Sequence, residues 1–571
     1  MTARSLQSRP DGPAPALADQ EQRWRIRHDL DSNLVVEAAA GTGKTTELVN
    51  RIVSVLAHGR TTVDRLVAVT FTEKAAGELK LRLRAEMEHA RQRAREAAAT
   101  ATALESPLTH APQVTHGREA AHAREVERRL EAALARLEEA RVGTIHSFCG
   151  DLLRERSIEA CIDPRFRTMT EPEAKRLLGE VFHLWLQEKL EDPPEGVRRS
   201  LRRRSSRQRG GPEQDEGRIE RLEKAAWMLG EWRDFRAPWR REPLDRAGRI
   251  DALLKQLSAF AALTRSCARP AHDTLYQATE PARALADIVS MAEQVRGRDH
   301  DGLEGQLIAL IADRDFRSPR IGTGKSYGPG VLRDDVRQAH LALCAALESF
   351  ARDADADLAS LLQSELLEVV DRYEARKQRE GRLDFFDLLG RTRDLLRCRE
   401  VREEFQRRFT HLFVDEFQDT DPLQAEILLL LCSDDPETVD WRQVRPVAGK
   451  LFVVADPKQS IYRFRRADVG TYLEVRDRLR AQGAGLLQLS VSFRSVPGIQ
   501  RVVNAAFAGL MNGDASAHQP EYVPLRGVRS EPAGQPSVIA LSVPEPFGWR
   551  GSVTKTAVAQ CLAESLEADI L

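Results

Sequence analysis

The sequence has little cysteine: seven residues in 571, dispersed and with no CxxC pair. That excludes a disulfide framework and a structural zinc site and fits reduced thiols in a cytosolic compartment. No stretch approaches the ~20 apolar residues of a membrane-spanning helix. Met1 to Gln20 lacks the apolar core of a secretory signal, so a cytoplasmic chain with no membrane partner is expected. Neither sign of charge dominates, with 86 Lys+Arg against 87 Asp+Glu and a formal net charge of -1. A uniformly basic nucleic-acid coat is thereby excluded, whereas a local basic groove is not. What is there is a globular mixture, 42% hydrophobic and 30% charged. The length suits about three to five domains or sub-domains.

Four short apolar runs read as buried parallel strands: Leu34-Val35-Val36, Leu66-Val67-Ala68-Val69, Leu412-Phe413-Val414 and Leu451-Phe452-Val453-Val454. Each gives way to a helical pattern, and Leu48, Val49, Ile52, Val53 and Leu56 mark one helix face after the first run. Continuous apolar strands alternating with helices predict an α/β fold with a covered parallel sheet. Two helical stretches interrupt it. One runs from about Arg84 to Ala140 and is broken near Ser106-Pro107 and Pro112; the other runs from about Asp151 to Arg382. Within the second, Val197 to Gly211 carries seven arginines and reads as a solvated linker, with a DNA-phosphate patch as the competing reading.

Ala40-Gly41-Thr42-Gly43-Lys44-Thr45-Thr46 follows the first strand and opens a helix, the context a phosphate-binding loop needs. Backbone N–H groups and the helix N-terminus cradle phosphates there. Lys44 would reach the β- and γ-phosphates, and the Thr45 hydroxyl would ligate Mg2+. The pattern GxxxxGK[ST] is met except that Ala38 stands where its first Gly belongs. Gly322-Thr-Gly324-Lys325-Ser326 repeats the letters without a buried strand before them and reads as a loop. Leu412 to Val414 leads into Asp415 and Glu416, two acids at a strand's carboxyl end, where open α/β sheets bind ligands. Asp415 there can hold Mg2+, and Glu416 can orient or deprotonate the attacking water. Leu451 to Asp456 leads similarly to Gln459, a candidate γ-phosphate sensor. Phe493 and Arg494 offer a stacking ring beside a candidate arginine finger.

These segments, in this order, resemble the UvrD/Rep group of superfamily 1 DNA helicases, most closely the AddA and RecB branch. Ala40 to Thr45 resembles motif I, Val69 to Leu79 motif Ia, and Gly143 to Phe148 motif Ib. Val414 to Thr420 matches motif II, Ala455 to Arg465 resembles motif III, and Ser492 to Ser495 resembles motif IV. Leu383 to Leu389 is similar to a segment of the AddA/RecB branch. The resemblance implies a RecA-like P-loop NTPase domain with large helical insertions and the beginning of a second RecA-like domain. The expected layout is domain 1A in 1–90, 141–150 and 396–485, helical insertions in 91–140 and 151–395 (the latter 1B-type), and an incomplete domain 2A in 486–571.

The resemblance also implies roles. Lys44, Glu416, Gln459 and Arg494 would be catalytic, and Thr45 and Asp415 would hold Mg2+. ATP would lie against Ala40, Gly41, Thr42, Gly43, Lys44, Thr45, Thr46, Phe493 and Arg494, with Gln22 reading adenine and Gln20 the competing choice. Phe71, Thr72, Thr144, His146, Tyr462 and Phe464 would line a single-stranded DNA path. The implied activity is ATP-dependent translocation and unwinding, 3′ to 5′, in DNA repair or double-strand-break recombination. Single-stranded DNA, duplex DNA ends and an AddB/RecC-like chain are the implied partners. No string resembling motif V, motif VI or a nuclease cluster follows Ser495. A truncated helicase product is therefore expected; the alternative is a catalytically incomplete nucleotide- and DNA-binding protein.

Overall fold

The computed structural model describes residues 17–104, 113–203, 217–295, 297–319, 322, 324–463, 466–513, 519–531, 533–534, 536–539, 555 and 558–559. Phe464, the second half of the arginine run (204–211), the expected helix break at 106–112 and most of an expected amphipathic helix over Lys555 to Ile570 lie outside them. The chain divides into two compact units, Met1–Pro164 with Leu388–Leu571, and Arg165–Asp387.

The first unit is built on a six-stranded sheet. Its strands are β1 (Leu34–Ala38), β2 (Leu66–Thr70), β3 (Arg141–Thr144), β4 (His411–Val414), β5 (Leu451–Ala455) and β6 (Gly485–Leu489), in the order β6-β1-β5-β4-β2-β3. Every pairing is parallel. The four apolar runs form the four inner strands, and β2, β4 and β5 are buried at every position. Full coverage on both faces is what turns an inner parallel strand into an unbroken apolar run. The two strands not foreseen, β3 and β6, are the edges. Each has a free side, so Arg141-Val-Gly-Thr and Gly485-Leu-Leu-Gln-Leu carry polar or small residues and lack that signal. The expected 2A boundary at 485/486 therefore falls inside β6, which pairs with β1 over Gly485–Leu489.

The five helices that position the site are α1 (Gln20–His28), α2 (Lys44–Ala57), α3 (Glu73–Leu104), α4 (Gln113–Ala135) and α5 (Ile145–Glu155). One core gathers Ile52 and Leu56 of α2, Leu79, Leu83 and Met87 of α3, Leu130 of α4, and Phe413 and Phe452 of the sheet. The described residues of 91–140 continue α3 and pair it with α4, and Leu130, Ala133, Leu137 and Ala140 join the sheet core. Buried Arg51 donates to the carbonyls of Ile26, Asp29 and Ser32, pinning the turn between α1 and β1.

The second unit begins at Arg165 and ends at Asp387, inside the 151 and 395 limits expected from sequence. It is helical and strung along the 47-residue helix Arg333–Arg379. The first half of that helix enters one apolar core through Leu343, Leu347 and Phe350; the second half enters another through Leu366, Val369 and Tyr373. Between the two lies a belt of buried charge. Arg199, fully buried, donates to Glu304 at 3.0 Å and also pairs with Asp357 and Glu195. Arg203 pairs with Glu304 and Asp355, and Arg198 with Asp301. The described half of the arginine run, 197–203, is therefore not a solvated linker. It lies in and just after a helix, Glu195–Arg202, neutralised by acids roughly a hundred or more residues away, which no local reading can see. Removing one partner strands the others: Arg199→Met is expected to destabilise the second unit by about 3 kcal/mol, read as a lower thermal or urea midpoint. An unchanged midpoint would mean that Arg203 and Arg246, which also pair with Glu304, and Arg241, which pairs with Asp357, suffice for these acids. Of the glycine-rich repeat, Gly322 and Gly324 have positive φ, and Ser326 begins a short hairpin of Ser326–Gly328 with Val331–Leu332.

Candidate active site

The site lies at the carboxyl ends of β1, β4 and β5 in the first unit, where three chain segments leave adjacent strands. After β1 the backbone turns through Gly41 (φ 77°) and Gly43 (φ 86°), left-handed values natural to glycine, before α2 begins at Lys44. The Thr42 hydroxyl closes the turn by donating to the Ala39 carbonyl at 2.7 Å. After β4, Asp415 is buried and Glu416 adopts a left-handed conformation (φ 54°). The Asp415 carboxylate holds that turn by accepting from the Glu416 N–H at 3.1 Å. Lys44 Nζ donates to Glu416 Oε2 at 2.9 Å, joining the phosphate loop to the acidic turn. After β5, Gln459 donates to Asp456 Oδ2 at 2.6 Å.

Gln418 links these turns and was not singled out from sequence. Buried, it donates to Glu416 Oε2 at 2.7 Å while its Oε1 accepts from the Asp456 N–H at 2.8 Å. Burial, and then the charge of Glu416, push the Asp415 and Asp419 carboxyls up to about 6. A buried acid raised in this way is stabilised by a bound cation. With the Thr45 hydroxyl on the neighbouring helix start, the donor set is all oxygen and suits Mg2+.

A cleft of about 840 Å³ opens over the loop, a size suited to a nucleotide. Ala40, Gly41, Gly43, Lys44, Thr45 and Thr46 line it on one side, with Glu416, Gln459, Phe493 and Arg494 around them. Thr42 is buried beneath, its side chain within the loop. Of the residues that the sequence pattern nominated for phosphate chemistry, Lys44, Thr45, Glu416, Gln459, Phe493 and Arg494 line this cleft, whereas Asp415 is buried beside Glu416 and is not among the lining residues. Gln22 is placed apart from the other nominated residues. On α1, Gln20, Arg23 and Arg27 share one face and line the cleft, while Gln22 is two residues round the helix from Gln20 and faces Leu486–Gln488. Gln20, the competing choice, is the glutamine at the cleft.

Three further cations, Arg27, Arg82 and Arg529, also line it. The first lies seven residues after Gln20, a spacing that puts both on one helix face. The others come from far along the chain and carry no local signal. Gly41 is confined by its neighbours as well as by its backbone: a Cβ there would collide with that of Arg494 and come within 3.0 Å of Ser492 Oγ. Gly41→Ala is expected to destabilise the first unit by about 1–2 kcal/mol and to displace Arg494 from the cleft. Thermal unfolding and nucleotide titration check it; a variant matching wild type in both would refute the close approach.

The residues nominated for DNA are distributed differently. The Phe71 and Tyr462 rings stack with centroids 4.9 Å apart and 22° between planes. Thr144 caps α5 by accepting from the Ser147 N–H at 3.2 Å and donates to Glu73 at 2.7 Å, and Thr72 accepts from the Ala75 N–H at 3.1 Å. Both hydroxyls are therefore engaged within the fold. Burial lowers the His146 imidazole to about 4, so it is neutral near pH 7.

A nucleotide-sized cleft built from a glycine-turned loop, a lysine and paired acids on a parallel sheet defines a P-loop NTPase. The UvrD/REP helicase N-terminal domain matches residues 18–480, and the chain belongs to that family. Among curated proteins it is similar to the A-subunit of the ATP-dependent helicase/nuclease of Syntrophomonas wolfei, 28% identical over 520 residues covering 86% of this chain and 38% of that protein. The same-named protein of Anoxybacillus flavithermus is 26% identical, covering 86% and 40%, and that of Staphylococcus aureus 25%, covering 86% and 39%. The chain spans about two fifths of the length of these relatives. Among the described residues no helix is long and apolar enough to cross a membrane.

Proposed function

We propose that this chain is the ATP-driven motor portion of a DNA helicase that moves along single-stranded DNA, 3′ to 5′, in DNA repair or double-strand-break recombination in the cytoplasm. The observation that carries this is the meeting of Lys44, Glu416, Gln459, Phe493 and Arg494 in one cleft. In this reading the first unit corresponds to domain 1A with the approach to 2A, and the second unit to the 1B insertion. Phosphates lie in the loop against Lys44, and the adenine lies toward Phe493 and Gln20. Thr45 and Asp415 would hold Mg2+, which when bound would neutralise charge on the phosphates. Glu416 receives the proton of the attacking water, Gln459 senses the γ-phosphate, and Arg494 stabilises charge in the transition state. The Lys44–Glu416 pair gives the cleft a resting state in which the base is tied to the lysine. Phosphate oxygens compete for Lys44 and free the carboxylate.

The stacked Phe71 and Tyr462 rings support a base-stacking path for single-stranded DNA. The relatives' shared name describes one subunit of a helicase/nuclease, which supports a partner chain; that the partner is of AddB/RecC type and that duplex DNA ends are bound are part of the proposal. The test is ATP hydrolysis by the purified chain, with and without single-stranded DNA, beside Lys44→Ala. DNA-stimulated turnover that is lost in the variant supports the motor. Nucleotide binding that Lys44→Ala abolishes, with no turnover, points instead to a nucleotide- and DNA-binding component without motor activity. No binding by the wild type refutes the nucleotide site.

A further inference from the structure

Beneath the cleft, Arg23 is 4% exposed and Asp19, one turn earlier on the chain, is 2% exposed. Their contacts join four separate segments. Arg23 Nε and Nη2 grip both oxygens of Asp19 at 2.8 and 3.0 Å. Nη1 donates to Glu47 of α2 at 3.1 Å, and Nη2 donates to the carbonyl of Thr42 in the phosphate loop at 3.0 Å. Asp19 Oδ2 in turn accepts from the N–H groups of Ser490 and Val491, at 3.1 and 2.9 Å. These residues begin the arm that carries Phe493 and Arg494. The Arg23 guanidinium also lies 5.2 Å from the centroid of the Phe493 ring, and the Phe493 N–H donates to the Gly41 carbonyl at 2.8 Å.

We propose that Asp19 and Arg23 form a positioning clamp that fixes the Ser490–Arg494 arm to the phosphate loop and so sets where Phe493 and Arg494 stand over the nucleotide. The proposal rests on the reading of the cleft as a nucleoside triphosphate site. A buried ion pair is an inefficient way to add stability, because desolvating the two charges offsets most of their attraction. This pair instead converts that expense into geometry. Arg23 Nη1 and Nη2 reach α2 and the phosphate loop while Asp19 Oδ2 reaches the arm, so the Arg23–Asp19 pair links loop to arm beside the direct Phe493 N–H to Gly41 carbonyl bond. Arginine is required. Two carboxylates, a loop carbonyl and an aromatic face are met at once by a planar fork of donors, an arrangement that the point charge of lysine does not reproduce. Glu47 is shared, since Arg27 also donates to it at 2.9 and 2.7 Å, so α2 stays neutralised when Arg23 is changed.

The test is hydrogen exchange on the full chain without nucleotide, comparing wild type with Arg23→Lys, which keeps charge and approximate volume. The expected result is exchange faster by about tenfold or more at residues 490–493, with β1 and β5 unchanged. Protection at 490–493 equal to wild type would overturn the clamp. So would an equal loss in β1 and β5, which would make Arg23 a general fold stabiliser. A second readout is a double-mutant cycle on ATP turnover. If Arg23 acts through Arg494, Arg23→Lys lowers turnover in the wild-type background and adds nothing to Arg494→Ala; independent, additive losses would contradict it. Lys44→Ala separates the two readings. Nucleotide binding that is absent in wild type, or indifferent to Lys44→Ala, refutes the nucleotide site, while the exchange pattern still reports on the clamp.

Discussion

Replacing Glu416 by glutamine is expected to slow ATP hydrolysis by about two to four orders of magnitude while MgATP binds at least as tightly as to wild type. The carboxylate is the proposed acceptor for the proton of the attacking water, and an amide cannot take it. Binding behaves differently because Glu416 Oε2 lies 2.9 Å from Lys44 Nζ. Phosphates must displace that carboxylate, and glutamine removes its charge, leaving Lys44 more available. The geometry of the turn is expected to survive. Its left-handed backbone is held by the Asp415 carboxylate on the Glu416 N–H, and Gln418 remains anchored to the Asp456 N–H. Single-turnover hydrolysis and equilibrium titration with a fluorescent ATP analogue separate the two effects. Turnover within a few fold of wild type would remove Glu416 from the chemistry. Weakened binding would show that the Lys44–Glu416 pair does not compete with phosphate.

Arg494→Ala is expected to lower turnover by about 10³- to 10⁵-fold, the range for removing an arginine that meets charge developing on a transferred phosphoryl group. Its backbone is fixed from two sides. Ser492 Oγ accepts from the Arg494 N–H at 3.4 Å, and the Phe493 N–H reaches the Gly41 carbonyl. The guanidinium is therefore carried to the cleft by a short, tethered segment, which suits a group that acts on the transition state. Ground-state binding of ADP is expected to change little, since Phe493 and the loop remain. Arg494→Lys should recover only a small part of the rate, because a point charge does not match two phosphate oxygens as a planar fork does. Equal losses in ADP affinity and in turnover would recast Arg494 as a general phosphate contact. No loss in either would exclude it.

The phosphate loop, the acidic turn and the four inner strands were legible from sequence for one reason: each is specified by residues adjacent in the chain. A lysine after two glycines, or two acids after three apolar residues, carries its own conformational instructions through the strand before it and the helix after it. Residues whose function depends on helix phase were legible only in part. Gln20 and Gln22 are equivalent as letters, and the helical turn of α1 separates them, one facing the cleft and the other β6. Edge strands β3 and β6 were missed because exposure on one side removes the unbroken apolar run that marks an inner strand.

The sequence by itself determined that this chain makes a parallel α/β sheet with a phosphate loop and paired acids at its carboxyl edge, because local strings encode strands, turns and helix starts. Only the tertiary structure decided which distant cations complete the cleft, that Arg23 and Asp19 tie its loop to the arm bearing Phe493 and Arg494, and that Arg199 is buried with Glu304 and Asp357. Those choices rest on contacts between residues up to several hundred positions apart. Charge pairing and burial at such separations are settled by how the elements pack, and no single stretch of chain contains both partners.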